Sequence, residues 1–201
     1  DLSRAVHGTS SGSTGAALVM PDDIEETARG FFLLRGLAAE AGAVVEEHPD
    51  GAPGQRLALA NLVHQRQAYT YVSVLSAFGQ RATARLNLDP GAWASPAARA
   101  RFLADADPEI LTGDPTSLGA LCAPELRAAV HPRAIFSGAM ALSAPLRADL
   151  EDAFGCPVFD VYGLHETRPI AVRRGDGPFR ILPRRVVVEV LDRDGAPVQF
   201  Y

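Results

Sequence analysis

Apolar positions along the chain fall into short unbroken runs, separated by longer stretches in which apolar and polar residues recur at helical spacing. Residues 57–63, 109–113, 134–136 and 157–162 read as buried strands, and residues 82–88 alternate as a strand does. Between them lie helical patterns. Residues 21–41 predict a long helix: Pro21 suits a first turn, Asp22, Asp23, Glu25 and Glu26 favour the N-terminal dipole, and Gly42 stops it. Ile24, Ala28, Phe31, Phe32, Arg35 and Leu37 give this helix part of a core-facing stripe. Residues 66–80, with Tyr69, Tyr71, Val72, Val74, Leu75 and Phe78, also predict a helix; the two tyrosines fit either a core stripe or a pocket wall. Ser95-Pro96 opens a helix running to about residue 106, and Asp114-Pro115-Thr116-Ser117 opens another. A third, residues 143–154, is closed by Gly155.

This β-then-α alternation predicts an α/β fold, a doubly wound, mainly parallel sheet with flanking helices. Ligands then gather at the carboxyl ends of strands, in the loops starting at Gly113, Ser137 and Tyr162. From Pro169 the pattern changes. Residues 170–173, 179–182 and 186–191 read as strands without helices, and Asp192-Arg193-Asp194-Gly195 as a hairpin turn. The expected organisation is an α/β core over residues 1–168 and a small antiparallel β appendage over 169–201. His48-Pro49-Asp50-Gly51 marks a turn in the polar connection after the first helix.

Composition narrows the function classes. A chain of 201 residues with 47% hydrophobic and 21% charged residues is an ordinary globular sequence, and a net charge of −5 gives no support for nucleic-acid or anionic-membrane binding. No apolar run is long enough for a membrane span, the five His are scattered, and Cys122 and Cys156 stand apart, against a disulfide framework or a cysteine zinc site. The sequence reads as cytoplasmic.

Two stretches carry candidate chemistry. In His7-Gly8-Thr9-Ser10-Ser11-Gly12-Ser13-Thr14-Gly15, glycine permits positive φ, so that N–H groups converge on one hollow, and five hydroxyls add donors. That suits a nucleotide phosphate tail; a flexible Gly/Ser linker is the alternative. The P-loop is excluded because Gly15 is followed by Ala16-Ala17, and the spacing of Gly8, Gly12 and Gly15 does not fit G-x-G-x-x-G. The second stretch is Phe159-Asp160-Val161-Tyr162-Gly163-Leu164-His165-Glu166-Thr167. There Tyr162 offers a flat platform at a strand end, Gly163 allows close approach to the backbone, and Glu166 supplies a hard oxygen for Mg²⁺. A plain Tyr-Gly turn with a surface Glu is the alternative.

Together these stretches resemble the adenylate-forming superfamily of acyl-CoA synthetases and peptide-synthetase adenylation domains. The first is similar to its S-S-G-S-T-G phosphate loop, and Tyr162 to Glu166 to its Y-G-x-T-E motif. Between them, in family order, come Gly113-Asp114-Pro115-Thr116-Ser117 and Phe136-Ser137-Gly138-Ala139-Met140. Leu142-Ser143-Ala144-Pro145-Leu146-Arg147 and Phe154-Gly155-Cys156-Pro157 resemble the phenylacetate-CoA ligase-like branch. The resemblance implies ATP-dependent activation of a small aryl or acyl carboxylic acid as an acyl-adenylate, then transfer to coenzyme A or another thiol or amine acceptor. It implies that residues 1–168 are the nucleotide-binding core, and a homodimer is compatible with it. Ser10, Ser11, Gly12, Ser13, Thr14 and Gly15 would hold ATP phosphates, with Thr14 and His165 as catalytic donors and Glu166 as the catalytic Mg²⁺ ligand. Ser137, Gly138, Ala139, Asp160, Tyr162 and Gly163 would frame adenine. His165 stands where the motif has Thr, and a purely structural histidine is the alternative. The chain also departs from the family: it contains no Lys, no T-G-D motif follows Tyr162, and nothing in it resembles the family's C-terminal lid domain. Two alternatives therefore stay open, a non-catalytic nucleotide- or acyl-binding remnant and an amide-forming ligase.

Overall fold

A computed structural model describes residues 5–9, 19–45, 56–66, 68–75, 81–164, 166–183 and 186–198. The turn at His48 and the Ser10–Gly15 candidates, together with Phe78 and His165, lie outside the described residues.

Strands β1 (Ala5–Thr9) and β2 (Val19–Asp23) pair antiparallel as a two-stranded sheet. Helix α1 (Ile24–Glu40) follows directly, its N-terminus capped by the Asp23 carboxylate, which accepts from the Glu25 N–H. The expected helix start at Pro21 is thus corrected: Pro21 lies in β2, opposite His7, and a strand separates the Ser/Thr/Gly stretch from the helix N-terminus.

The main sheet has eight strands. They are β3 (Leu59–Val63), β4 (Tyr71–Leu75), β5 (Arg81–Asn87), β6 (Ile110–Gly113), β7 (Ala134–Ser137), β8 (Val158–Leu164), β9 (Arg168–Arg174) and β10 (Arg180–Ile181), in the order β10-β9-β8-β7-β6-β3-β5-β4. The pairs joining β5, β3, β6, β7 and β8 are parallel, while β4, β9 and β10 add antiparallel at the two sides. The mainly parallel α/β sheet is as the sequence predicts. Its antiparallel end continues the same sheet, because β9 pairs with β8. Two further expectations fail. Residues 71–75 form strand β4, not part of a helix: Tyr71, Val72 and Val74 alternate across β5 with β-branched and aromatic side chains that suit a pleat. Residues 186–191 form no strand; one isolated bridge, Leu191 to Pro197, closes over the Asp192 turn.

Helices cover both faces. Phe31, Leu37 and Ala38 of α1 pack with Ile110, Ala134, Phe136 and Phe159. Helices α2 (Pro96–Ala106), α3 (Pro115–Leu121), α4 (Pro124–Arg127) and α5 (Ala144–Phe154) bring Leu103, Leu118, Leu121, Leu126 and Leu150 against Leu111, Ile135 and Val158. Adjacent residues of one strand therefore serve opposite cores, the mark of a strand buried on both faces. Ser95, Asp114 and Ser143 cap α2, α3 and α5, and Gly155 ends α5 in the left-handed conformation. Among the described residues no helix is long and apolar enough to cross a membrane.

At the amino ends of the parallel strands, Glu109 is fully buried and takes Arg81 at 2.5 Å and Arg133 at 3.3 Å, tying β5, β6 and β7 together. Removing one partner of such a pair leaves a buried charge uncompensated. Glu109→Ala is therefore expected to lower stability by about 3–5 kcal/mol, whereas exposed Glu25→Ala should change it by less than about 0.5 kcal/mol. Urea denaturation midpoints check both; equal midpoints for Glu109→Ala and the parent would remove this clamp from the account.

Candidate functional site

The strand registers align a row of residues across the carboxyl ends of the parallel strands. Gly113 of β6 faces Ser137 of β7, Ser137 faces Asp160 of β8, and Asp160 faces Arg173 of β9. Each of the first three lies two residues after Leu111, Ile135 or Val158, so the row shares the sheet face that α2 to α5 cover. Both Ser137 and Asp160 are buried.

Their polar atoms fare differently. The Asp160 carboxylate accepts from the Arg173 guanidinium at 2.6 Å, a charge-assisted bond that compensates its burial. Among the described residues, the fully buried Ser137 hydroxyl has no hydrogen-bond partner. An orphaned buried hydroxyl is costly and rare, and at strand ends it marks a place where a ligand or water can complete the bonding. Beside it the Gly138 N–H donates to the Gly113 carbonyl at 3.0 Å, and Ala139 stands at φ 66°, a conformation costly for a side chain bearing Cβ. In the neighbouring loop Asp114 is engaged by its own helix, accepting from the Ser117 N–H at 3.0 Å and the Ser117 hydroxyl at 2.7 Å.

Two residues beyond Asp160, Tyr162 is 55% exposed. Its ring meets Phe179 edge-on, with centroids 6.2 Å apart. A bulge follows, and Gly163 sits so close to β9 that a Cβ there would lie 2.4 Å from the Arg168 carbonyl oxygen. The hairpin itself thus requires glycine at this position. Glu166 is exposed in the turn between β8 and β9. The turn on the far side of β9 is anchored by Arg147 of α5, which donates to the Gly175 carbonyl at 2.7 Å and pairs with Asp176.

The structure therefore brings together Ser137, Gly138, Ala139, Asp160, Tyr162 and Gly163, with Glu166 in the adjoining turn. Ser10, Ser11, Gly12, Ser13, Thr14, Gly15 and His165 lie outside the described residues. Sequence reading missed Arg173 and Phe179, which no motif marks; the alternation of β9, placing Arg173 opposite Asp160, was the available signal.

A hollow of about 730 Å³ lies past the carboxyl ends of β3 and β5, lined by Arg66, Ala68, Tyr69, Thr70, Ala92 and Trp93. Fully buried Asn87 shapes it: its side chain donates to the Gln65 and Ala68 carbonyls and accepts from the Asp89 N–H, while Trp93 donates to its carbonyl at 2.6 Å. Tyr69 borders this hollow and is exposed; Tyr71 is exposed too but does not line it, so neither tyrosine belongs to a core stripe. A smaller cavity of about 420 Å³, lined in part by Cys122, His131 and Phe154, lies at the opposite edge of the sheet. Near that edge, burial first and Glu151 second push the Cys156 thiol up to about 12, which keeps it protonated and unreactive at neutral pH. Among the described residues, no group of three His, Cys, Asp or Glu side chains could hold a metal ion. Glu166 alone would leave most of a Mg²⁺ shell to phosphate oxygens and water, which is how that ion binds beside nucleotides.

No protein-family model and no curated protein matches the chain. Solved structures do. An acyl-CoA synthetase (AMP-forming)/AMP-acid ligase II-like protein from Dyadobacter fermentans superposes with a TM-score of 0.51 at 15% identity, over 98% of this chain and 55% of its own. An anthranilate CoA ligase in complex with anthranoyl-AMP gives 0.53 at 18% identity, over 96% of this chain and 36% of its own. An ATP-bound chimera of RpMatB and BxBclM gives 0.57 at 17% identity, over 96% and 37%. The chain has the fold of the AMP-forming ligases. It spans between about a third and just over half of the length of these solved chains.

Because the Ser137 hydroxyl is buried without a partner, Ser137→Ala is expected to leave stability unchanged or raise it by up to about 1 kcal/mol. Thermal unfolding checks this, and a loss of more than about 1 kcal/mol would show that the hydroxyl is already satisfied.

Proposed function

We propose that the chain is the nucleotide-binding core of an ATP-dependent acid–thiol ligase of the phenylacetate-CoA ligase-like branch. It would activate a small aryl or acyl carboxylic acid as an acyl-adenylate and serve its transfer to a thiol such as coenzyme A. The observation that carries the reading is the row at the strand ends: an orphaned Ser137 hydroxyl and a charge-compensated Asp160 beside an exposed Tyr162 ring. In a parallel sheet this is where nucleotides bind, and one solved structure with this fold is described as ATP-bound.

In the reaction a carboxylate oxygen attacks the α-phosphorus of ATP. The new P–O bond forms as the bond to the β-phosphate bridging oxygen breaks, and pyrophosphate leaves with both electrons of that bond. No covalent enzyme intermediate is needed, so the protein's part is to position and to manage charge. Tyr162 stacks on adenine, the Ser137 hydroxyl and the Asp160 carboxylate meet its polar edge, and Gly138 with strained Ala139 shapes the loop around it. Ser10 to Gly15 would hold the phosphate tail through N–H and hydroxyl donors, with Thr14 and His165 as catalytic donors. Glu166 is the protein ligand for Mg²⁺, which when bound neutralises phosphate charge. Arg173 already cancels the charge of Asp160, so this carboxylate does not repel the incoming polyanion.

Calorimetric titration of the chain with Mg²⁺-ATP and with AMP tests the reading. Both are expected to bind, and Glu166→Ala should weaken Mg²⁺-ATP roughly tenfold, about 1.4 kcal/mol, with little change in melting temperature since Glu166 is exposed. Equal Mg²⁺-ATP affinity in parent and variant would remove Glu166 from the site.

A further inference from the structure

We propose that Phe179 and Arg173 belong to the nucleotide site, Phe179 as a second aromatic wall for the base and Arg173 as the positioning residue that locks Phe179 to Asp160. This rests on the nucleotide reading above and adds to it two residues outside every motif. The Arg173 guanidinium carbon lies 4.6 Å from the Phe179 ring centroid while the same group bonds the Asp160 carboxylate at 2.6 Å. One planar cation thus bridges a buried acid and an aromatic face, a pairing in which the flat guanidinium stacks as a compact ammonium does not. Phe179 in turn meets Tyr162 at an interplanar angle of 63°.

The exposure of the two rings argues for a ligand. Phe179 is 40% exposed and Tyr162 55%, although both sit beside a well-packed sheet that could have buried them. Two neighbouring rings set edge to face leave an open wedge of apolar surface beside the Arg173–Asp160 pair. A planar heterocycle matches that surface, packing on an exposed ring. Arg173 makes the wedge rigid: its side chain is largely buried, and its two contacts fix β9 and the segment leading into β10 against β8. Tyr162 supplies one wall of the base site and Phe179 the other.

The test is titration of the full chain with AMP, read by affinity and by nuclear Overhauser contacts from the adenine ring protons. The parent should show contacts to the Phe179 ring. Phe179→Ala should lose them and bind AMP several-fold more weakly, the effect of removing one edge-to-face aromatic contact, and Phe179→Trp should restore binding. Arg173→Lys retains the charge but not the planar contact, and should weaken AMP several-fold while melting close to the parent. AMP binding by the parent without contacts to Phe179, or with equal affinity in Phe179→Ala, overturns this inference and leaves the nucleotide reading standing. A folded parent that binds no AMP overturns both.

Discussion

Parallel pairing of β6, β7 and β8 carries Gly113, Ser137 and Asp160 to one level at the carboxyl edge of the sheet, and everything else in the site depends on that register. Side chains alternate along a strand, so a slip of one residue would replace Ser137 by Phe136 on the face covered by α2 to α5 and send the hydroxyl into the α1 core. Three features oppose such a slip. Phe136 stacks on Phe159 across β7 and β8 with centroids 4.6 Å apart and planes 8° from parallel. Both sheet faces are filled by separate sets of apolar side chains. At the amino ends, the Arg133 N–H donates to the Glu109 carbonyl at 2.7 Å, beside the ion pairs that join β5, β6 and β7.

Charge is arranged differently at the two ends of the sheet. The amino edge carries the buried Glu109 among arginines, and nearby Arg56 pairs with Asp107 at 2.9 Å. At the carboxyl edge a single arginine spans the buried Asp160 and an exposed aromatic ring, beside a hydroxyl with no partner. The first sets its acid between two arginines, Arg81 and Arg133. The second leaves aromatic surface exposed. The proposed function places nucleotide binding at the carboxyl edge, not at the cavity beside Cys122 and His131.

Much of this was legible in the sequence because caps and strand runs are local signals. Ser95-Pro96, Asp114-Pro115 and Ser143 each start a helix where their side chains predict, and the runs at 109–113 and 134–136 are strands. The segment around Tyr71 misled because its aromatic and β-branched residues fit either period, and pairing with β5 decided the matter. Pro21 resembled a helix start, but pairing with β1 drew it into a strand and left Asp23 to cap the helix. The site divided in the same way. Ser137, Asp160 and Tyr162 stand at strand ends that local pattern locates. Arg173 and Phe179 join them only through the β8–β9 pairing, a relation of distant strands that no motif encodes.

The most direct test of the central claim is to titrate the isotopically labelled chain with ATP and map which backbone amides shift. The account predicts that the shifts centre on Gly113, Ser137, Gly138, Asp160, Tyr162 and Glu166, with the amides of Cys122 and His131 at the opposite edge unchanged. Shifts confined to that opposite edge, or no shifts at saturating ATP, would contradict a nucleotide site at the carboxyl ends of these strands.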